Sequence, residues 1–81
     1  QPNLGCGLKR LLFEPLDDVT SDLIRTEITT TITQYEPRVK LILVDVQPQE
    51  QSDAYIISIT FSMVNQPSDV LRFSTVLRRV R

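Results

Sequence analysis

The stretch TSDLIRTEITTTITQY, Thr20–Tyr35, decides the fold, because it supports two readings that lead to different architectures. Thr26, Thr29, Thr30, Thr31 and Thr33 are β-branched and stiff at χ1, so propensity alone would suit residues 26–33 to a strand. Ile24, Ile28, Ile32 and Tyr35, however, recur at spacings of four, four and three, the stripe of one helix face. That spacing decides for a helix over residues 20–35. Asp17, Asp18, Thr20, Ser21 and Asp22 supply N-cap candidates and first-turn acids at its start. With so many threonines, the helix must be held by docking of its isoleucine face.

Downstream, Tyr35-Glu36-Pro37-Arg38-Val39 ends the helix. Pro37 pushes Glu36 out of the helical region, and Glu36 lies near a helix C-terminus, where an anion is disfavoured by about 0.3–1 kcal/mol. An acid there is tolerable if Arg38 or a partner's cation neutralises it, so the corner is expected to present a rigid charge pair; an ordinary turn with a surface ion pair is the alternative.

Val39–Val46 is apolar on both parities, with Ile42, Val44 and Val46 expected on one face and Val39, Leu41 and Leu43 on the other. It is expected to be a strand covered on both sides at its start, followed by a polar turn from Pro48 to Asp53. Ala54–Val64 alternates, with Tyr55, Ile57, Ile59, Phe61 and Met63 opposite Ser58, Thr60 and Ser62, the pattern of a half-exposed antiparallel strand. Asn65-Gln66-Pro67-Ser68 is expected to turn the chain into a third strand near residues 70–78. Leu8–Phe13 is expected to form a short helical turn laying Leu8, Leu11 and Leu12 on the core. The predicted class is α+β: one long helix packed on a three-stranded, mainly antiparallel sheet, with a short N-terminal helical turn.

The 81 residues and 9.3 kDa make one domain, residues 1–81, and a chain this short buries only about 60 to 65% of its unfolded surface. It has no histidine, so the commonest zinc ligand and general base are missing. Cys6 is the single cysteine, which excludes an internal disulfide; between two glycines it is expected to fill a small apolar gap. No cofactor or metal site is expected, and no segment resembles a signal peptide or a membrane span. The net charge of −1 is uneven. Residues 70–81 carry Arg72, Arg78, Arg79 and Arg81 without an acid, whereas the rest hold ten acids against five basic groups. This points to electrostatic docking on an acidic protein, and the pI near 5.2 with few interleaved aromatics does not suit nucleic acid.

Together, three segments resemble a known family. Tyr35-Glu36-Pro37-Arg38-Val39 is similar to the Glu-Pro-Arg signature of the small baseplate wedge proteins of contractile-tailed phages, whose relatives occur in type VI secretion and contractile injection systems. Gly5-Cys6-Gly7-Leu8 with Leu12-Phe13-Glu14-Pro15 resembles that family's segment ahead of the long helix, and Asn65-Gln66-Pro67 its turn before the last strand. The family usually carries a longer N-terminal segment, so this chain, opening at Gln1, is expected to lack an extension.

The resemblance implies a structural baseplate component in the virion tail or an equivalent particle assembled in bacterial cytoplasm. It would link the wedge core bundle to the first sheath ring and initiate sheath assembly, present in multiple copies in a six-fold assembly. Glu36, Pro37 and Arg38 would contact the wedge core-bundle proteins. Arg72, Arg78, Arg79 and Arg81, within Val70–Arg81, would lie on the side of the tail sheath protein, with no membrane or nucleic-acid partner.

Two other classes come with the resemblance, a lysozyme-like peptidoglycan hydrolase and a regulatory protein-binding module. Glycoside hydrolysis requires a carboxyl with a raised pKa and a second carboxyl across a cleft. Arg38 beside Glu36 would favour the ionised form, the opposite of what a general acid requires. Glu14 before Pro15 is a candidate buried turn carboxylate, and Asp17, Asp18 and Asp22 look like capping groups. The protein is therefore expected not to be an enzyme.

Overall fold

The computed structural model describes Leu8 and residues 10–79. Cys6, its flanking glycines and Arg81 lie outside the described residues. Among the described residues, a short N-terminal helical turn is followed by the helix α1 (Asp18–Tyr35) and three strands, β1 (Val39–Gln49), β2 (Ala54–Met63) and β3 (Gln66–Arg78). The strands form an antiparallel meander with β2 in the centre, and α1 packs over β1. The α+β class read from the sequence is the class observed.

Helix α1 starts where the acids allow it. Asp17 adopts an extended conformation as the N-cap, and its carboxylate accepts the Thr20 backbone N–H at 2.8 Å. Ser21 Oγ donates to the Asp17 carbonyl at 2.9 Å, which satisfies a hydroxyl that the packing buries. Burial then falls along the isoleucine stripe: Ile24 is 0% exposed, Ile28 4%, Ile32 half-buried, and Tyr35 43%. The threonines at 26, 29, 30 and 33 are exposed, so apolar docking, not helix propensity, holds the element.

The core joins Ile24 and Ile28 to Val44 and Val46 of β1, Tyr55 and Ile57 of β2, and Leu8 and Leu12 of the N-terminal turn. Leu11 packs at its margin, so the expected placement of Leu8, Leu11 and Leu12 on the core is observed. Full burial of each such side chain contributes about 1.5–3 kcal/mol.

In β1 the expected facing is corrected. Pairing with β2 runs Leu41 to Phe61 and then Leu43 to Thr60, so Ile42 is an extra residue, a β-bulge. Ile42 and Leu43 are 52% and 58% exposed, while Leu41 turns inward with Val44 and Val46. Ile42 therefore does not share a face with Val44 and Val46, and the start of β1 is not covered on both sides. Strict alternation cannot survive an inserted residue, which is why the period-two reading failed here.

Two expected turns are also shorter than predicted. Pro48 lies within β1, and the turn is the 3-10 segment Glu50–Ser52 closed by Asp53 in the left-handed region at φ 52°. Pro67 and Ser68 lie within β3, leaving only Val64 and Asn65 between strands. Both prolines fall on edge strands, where a missing N–H need not break the sheet. Glu14 is exposed, not a buried carboxylate. Among the described residues, no helix is long and apolar enough to cross a membrane.

Candidate protein-binding surface

Glu36 sits at φ −130° and ψ 73°, outside the helical region, and its backbone N–H donates to the Ile32 carbonyl at 2.8 Å. The next turn cannot close, because Pro37 has no N–H to offer the Thr33 carbonyl. The Val39 N–H returns to the Glu36 carbonyl at 3.0 Å, and the Val64 N–H donates to the Arg38 carbonyl at 2.8 Å. The corner is thus tied by its backbone to the helix, to β1 and to the β2–β3 turn.

Its side chains are left outward. Glu36, Pro37 and Arg38 are all exposed, and neither charged side chain makes a hydrogen bond or ion pair with another described residue. The internal neutralisation of Glu36 by Arg38 that the sequence allowed is absent. Instead the two residues line separate hollows. Glu36 borders an apolar groove of about 360 Å³ formed by Ile32, Val39, Ile59, Phe61 and Phe73. Pro37 and Arg38 border another of about 380 Å³ with Met63, Val64 and Asn65. Met63, Val64 and Asn65 carry no sequence signal that sets them apart from a strand end and a turn; in the structure Val64 lies in the turn and is 58% exposed.

The second surface is β3. Its residues are exposed except Leu77 and, just beyond the strand, Arg79, which are intermediate. Pairing with β2 puts Leu71, Phe73, Thr75 and Leu77 on the face shared with Phe61, Ile59, Ile57 and Tyr55, the side that packs on α1. Arg72, Ser74, Val76 and Arg78 occupy the opposite face, with Ser74 Oγ 3.3 Å from Ser58 Oγ. Leu71 is 46% exposed and Phe73 54%, since α1 lies over β1 and does not reach across to cover them.

The arginines divide. Arg72 and Arg78 are exposed. Arg79 is engaged internally: Nε donates to the Glu14 carbonyl at 2.9 Å, and an NH1 group to Asp53 Oδ1 at 3.0 Å. Its backbone N–H reaches the Asp53 carbonyl at 3.1 Å. It joins the end of β3 to the β1–β2 turn and the N-terminal segment.

Neither hollow resembles a catalytic cleft in its chemistry. Glu36 is the one carboxylate among the residues lining its groove, and the Arg38 hollow has none. Asp17 is held below the usual carboxylate range by the Thr20 backbone N–H, a capping arrangement and the opposite of a general acid. Burial pushes the Tyr55 phenol up, and its O–H donates to the Pro15 carbonyl at 3.3 Å. Among the described residues no group of acids or cysteines could hold a metal ion.

Comparison with known proteins agrees with this architecture. The family described as baseplate wedge protein gp25 matches residues 1–68. Baseplate wedge protein gp25 of Enterobacteria phage T4 is 33% identical over 69 residues, covering 85% of this chain and 52% of the phage protein. This chain therefore spans about half the length of that relative. A crystal structure of a candidate tail lysozyme from Geobacter sulfurreducens superposes with a TM-score of 0.80, covering 94% of this chain and 68% of that one. At 21% identity, that likeness concerns the fold alone.

Proposed function

This chain belongs to the baseplate wedge protein gp25 family, and from that membership we propose that it is a structural component of the baseplate of a contractile injection machine. In this reading, the Glu36-Pro37-Arg38 corner contacts the wedge core bundle, and β3 receives a strand of the tail sheath protein, so that the first sheath ring is initiated on it. Several copies act together in a six-fold assembly, built in the bacterial cytoplasm and retained in the tail.

The observation that carries the proposal is β3. It is 13 residues long and lies at the sheet edge, with its outer side unpaired among the described residues. Such an edge offers a row of backbone donors and acceptors to another chain, and natural proteins usually blunt or cover it. Past Pro67, β3 has no proline, and no bulge interrupts its register with β2 from Val70 to Arg78. A strand added there gains backbone hydrogen bonds in a defined register. Arg72 and Arg78 would oppose acidic residues of the incoming strand, cross-strand pairs contributing about 0.2–1 kcal/mol each. Arg79, already engaged within the domain, has a positioning role at the end of that strand.

We read the domain as non-catalytic. The two hollows lack the paired carboxylates that glycoside hydrolysis requires, and the corner that resembles the wedge signature is built for presentation of charge.

The test uses contractile particles assembled without this chain and complemented with variants. The intact chain is expected to restore complete baseplates bearing sheaths of normal length. Arg38→Ala should weaken incorporation into wedges, and the Arg72→Glu, Arg78→Glu double variant should enter wedges but leave short or missing sheaths under the electron microscope. Normal sheaths without the chain would overturn the proposal. Normal sheaths on the double variant would remove the arginines from sheath recognition.

A further inference from the structure

The two edges of the sheet are built differently. Among the described residues the outer side of β3 is unpaired, and from Val70 to Arg78 the strand runs without a bulge or a proline. A long, regular edge of this kind is a template for any compatible strand. On the opposite edge, β1 carries the bulge at Ile42 and has Pro48 within it, two features of a blunted edge. Apolar surface lies directly beside the open edge. Leu71 and Phe73 are exposed on the face toward α1, and Val70 and Val76 on the face away from it. A strand with the same pattern, added there, would bury apolar area on both faces, and β3 of a second copy has that pattern.

Symmetry restricts the register. Opposed residues of antiparallel strands share a face, so two copies of β3 related by a two-fold axis must set one residue opposite its own copy. Centring on Arg72 would oppose like charges, and centring on Thr75 would set Arg72 opposite Arg78 of the second copy. Centring on Ser74 would leave Val70 opposite Arg78 and Val76 opposite Arg72. Centring on Phe73 sets Phe73 opposite Phe73, Val70 opposite Val76 and Arg72 opposite Ser74. Aromatic and apolar cross-strand pairs are the favourable ones, and this register has them on both faces.

From these observations we infer that the free chain forms a two-fold dimer through β3, joining two three-stranded sheets into one of six strands with Phe73 on the axis. The dimer closes on itself, because it uses β3 of both copies and leaves only the blunted β1 edges outside. The inference goes beyond the baseplate role, and the two meet on one edge: a β3 paired with its copy is closed to the sheath strand proposed above. Arg72 and Arg78 of both copies repel one another across the pair, which keeps it weak, while the same arginines draw an acidic strand to that edge. Self-pairing therefore strengthens as salt screens the repulsion.

The test measures the mass of the intact chain by light scattering after size exclusion, over a range of protein and salt concentrations. The expected result is twice the 9.3 kDa of the chain at high concentration, with the dimer fraction rising with salt. In a Cys6→Ser background, Phe73→Cys should link two copies by a disulfide on mild oxidation, since directly opposed residues of antiparallel strands lie at Cα separations that a disulfide spans. Val19→Cys, on an exposed side chain of α1, gauges random collision and should stay monomeric. The linked dimer should not support sheath assembly until it is reduced. A monomer under all conditions, species larger than a dimer, or Phe73→Cys linking no faster than Val19→Cys overturns the inference and leaves the baseplate role standing. Normal sheaths from the linked dimer would overturn the masking of that edge.

Discussion

Asp17 shows how much a single side chain can decide. Five N-cap candidates and first-turn acids lie at the start of the isoleucine stripe, and the chain caps on the first of them, so that α1 begins at Asp18 instead of Thr20. The charged carboxylate is favoured in the folded state because it accepts the Thr20 N–H, and this lowers its pKa. The stability it contributes is present above the unfolded aspartate value of 3.8 and is lost as pH falls through the lower folded value. Thermal unfolding followed by circular dichroism should therefore show a lower Tm for Asp17→Ala near neutral pH. Asp17→Asn should keep most of the cap, since asparagine caps as well, and should lack that part of the loss of stability on acidification. An Asp17→Asn variant with the same acid limb as the parent would mean that another carboxylate governs it.

At the scale of elements, the bulge in β1 reconciles a sequence that is apolar on both parities with a sheet that has one covered face. Val39 and Leu41 face inward, Ile42 is inserted, and Val44, Val46 and Pro48 resume the inward set. Deleting Ile42 should remove the bulge while leaving every inward residue where it was, so the domain should still fold. Deleting Asp45, in the regular part of the same strand, should turn Val46 outward and Gln47 inward. Loss of one buried valine contributes about 1.5–3 kcal/mol, and the buried glutamine adds a penalty, enough to unfold a domain of this size. Urea denaturation of the two deletions is the comparison to make. Similar stabilities would show that β1 tolerates either register.

For the whole molecule, Arg79 links parts distant in sequence. It connects Glu14 ahead of the helix, Asp53 in the β1–β2 turn and the end of β3 through three hydrogen bonds, one of them within an ion pair whose side chains are 24% and 22% exposed. Arg79→Ala retains the backbone bond and loses the two made by the guanidinium, leaving the Asp53 carboxylate without that cation. The expected cost is about 1–3 kcal/mol, seen as a lower midpoint in denaturant. Arg72→Ala and Arg78→Ala, on exposed side chains, should leave the midpoint nearly unchanged while affecting sheath recruitment. An Arg79→Ala domain as stable as the parent would mean that the other strands alone hold β3 in place.

The helix, the three strands and their antiparallel order were legible in the chain because they are written in local periodicity: isoleucines every four residues, alternation from Tyr55 to Met63, prolines and polar residues at the ends. The helix end at the Glu-Pro-Arg corner was legible for the same reason, since Pro37 lacks the N–H a continuing helix would use and disfavours a helical Glu36. Tertiary structure alone decided which face of β1 is inside, because a strand that is apolar on both parities does not say where a bulge falls, and pairing with β2 sets it at Ile42. It also decided that Pro48 and Pro67 sit in strands, which depends on those strands being edges. Finally, it separated three similar arginines of the described residues. Arg72 and Arg78 face solvent and Arg79 closes an internal link, a distinction set by the position of Glu14 and Asp53, 65 and 26 residues away along the chain. Spacing within a segment is a local property; partners brought together by folding are not.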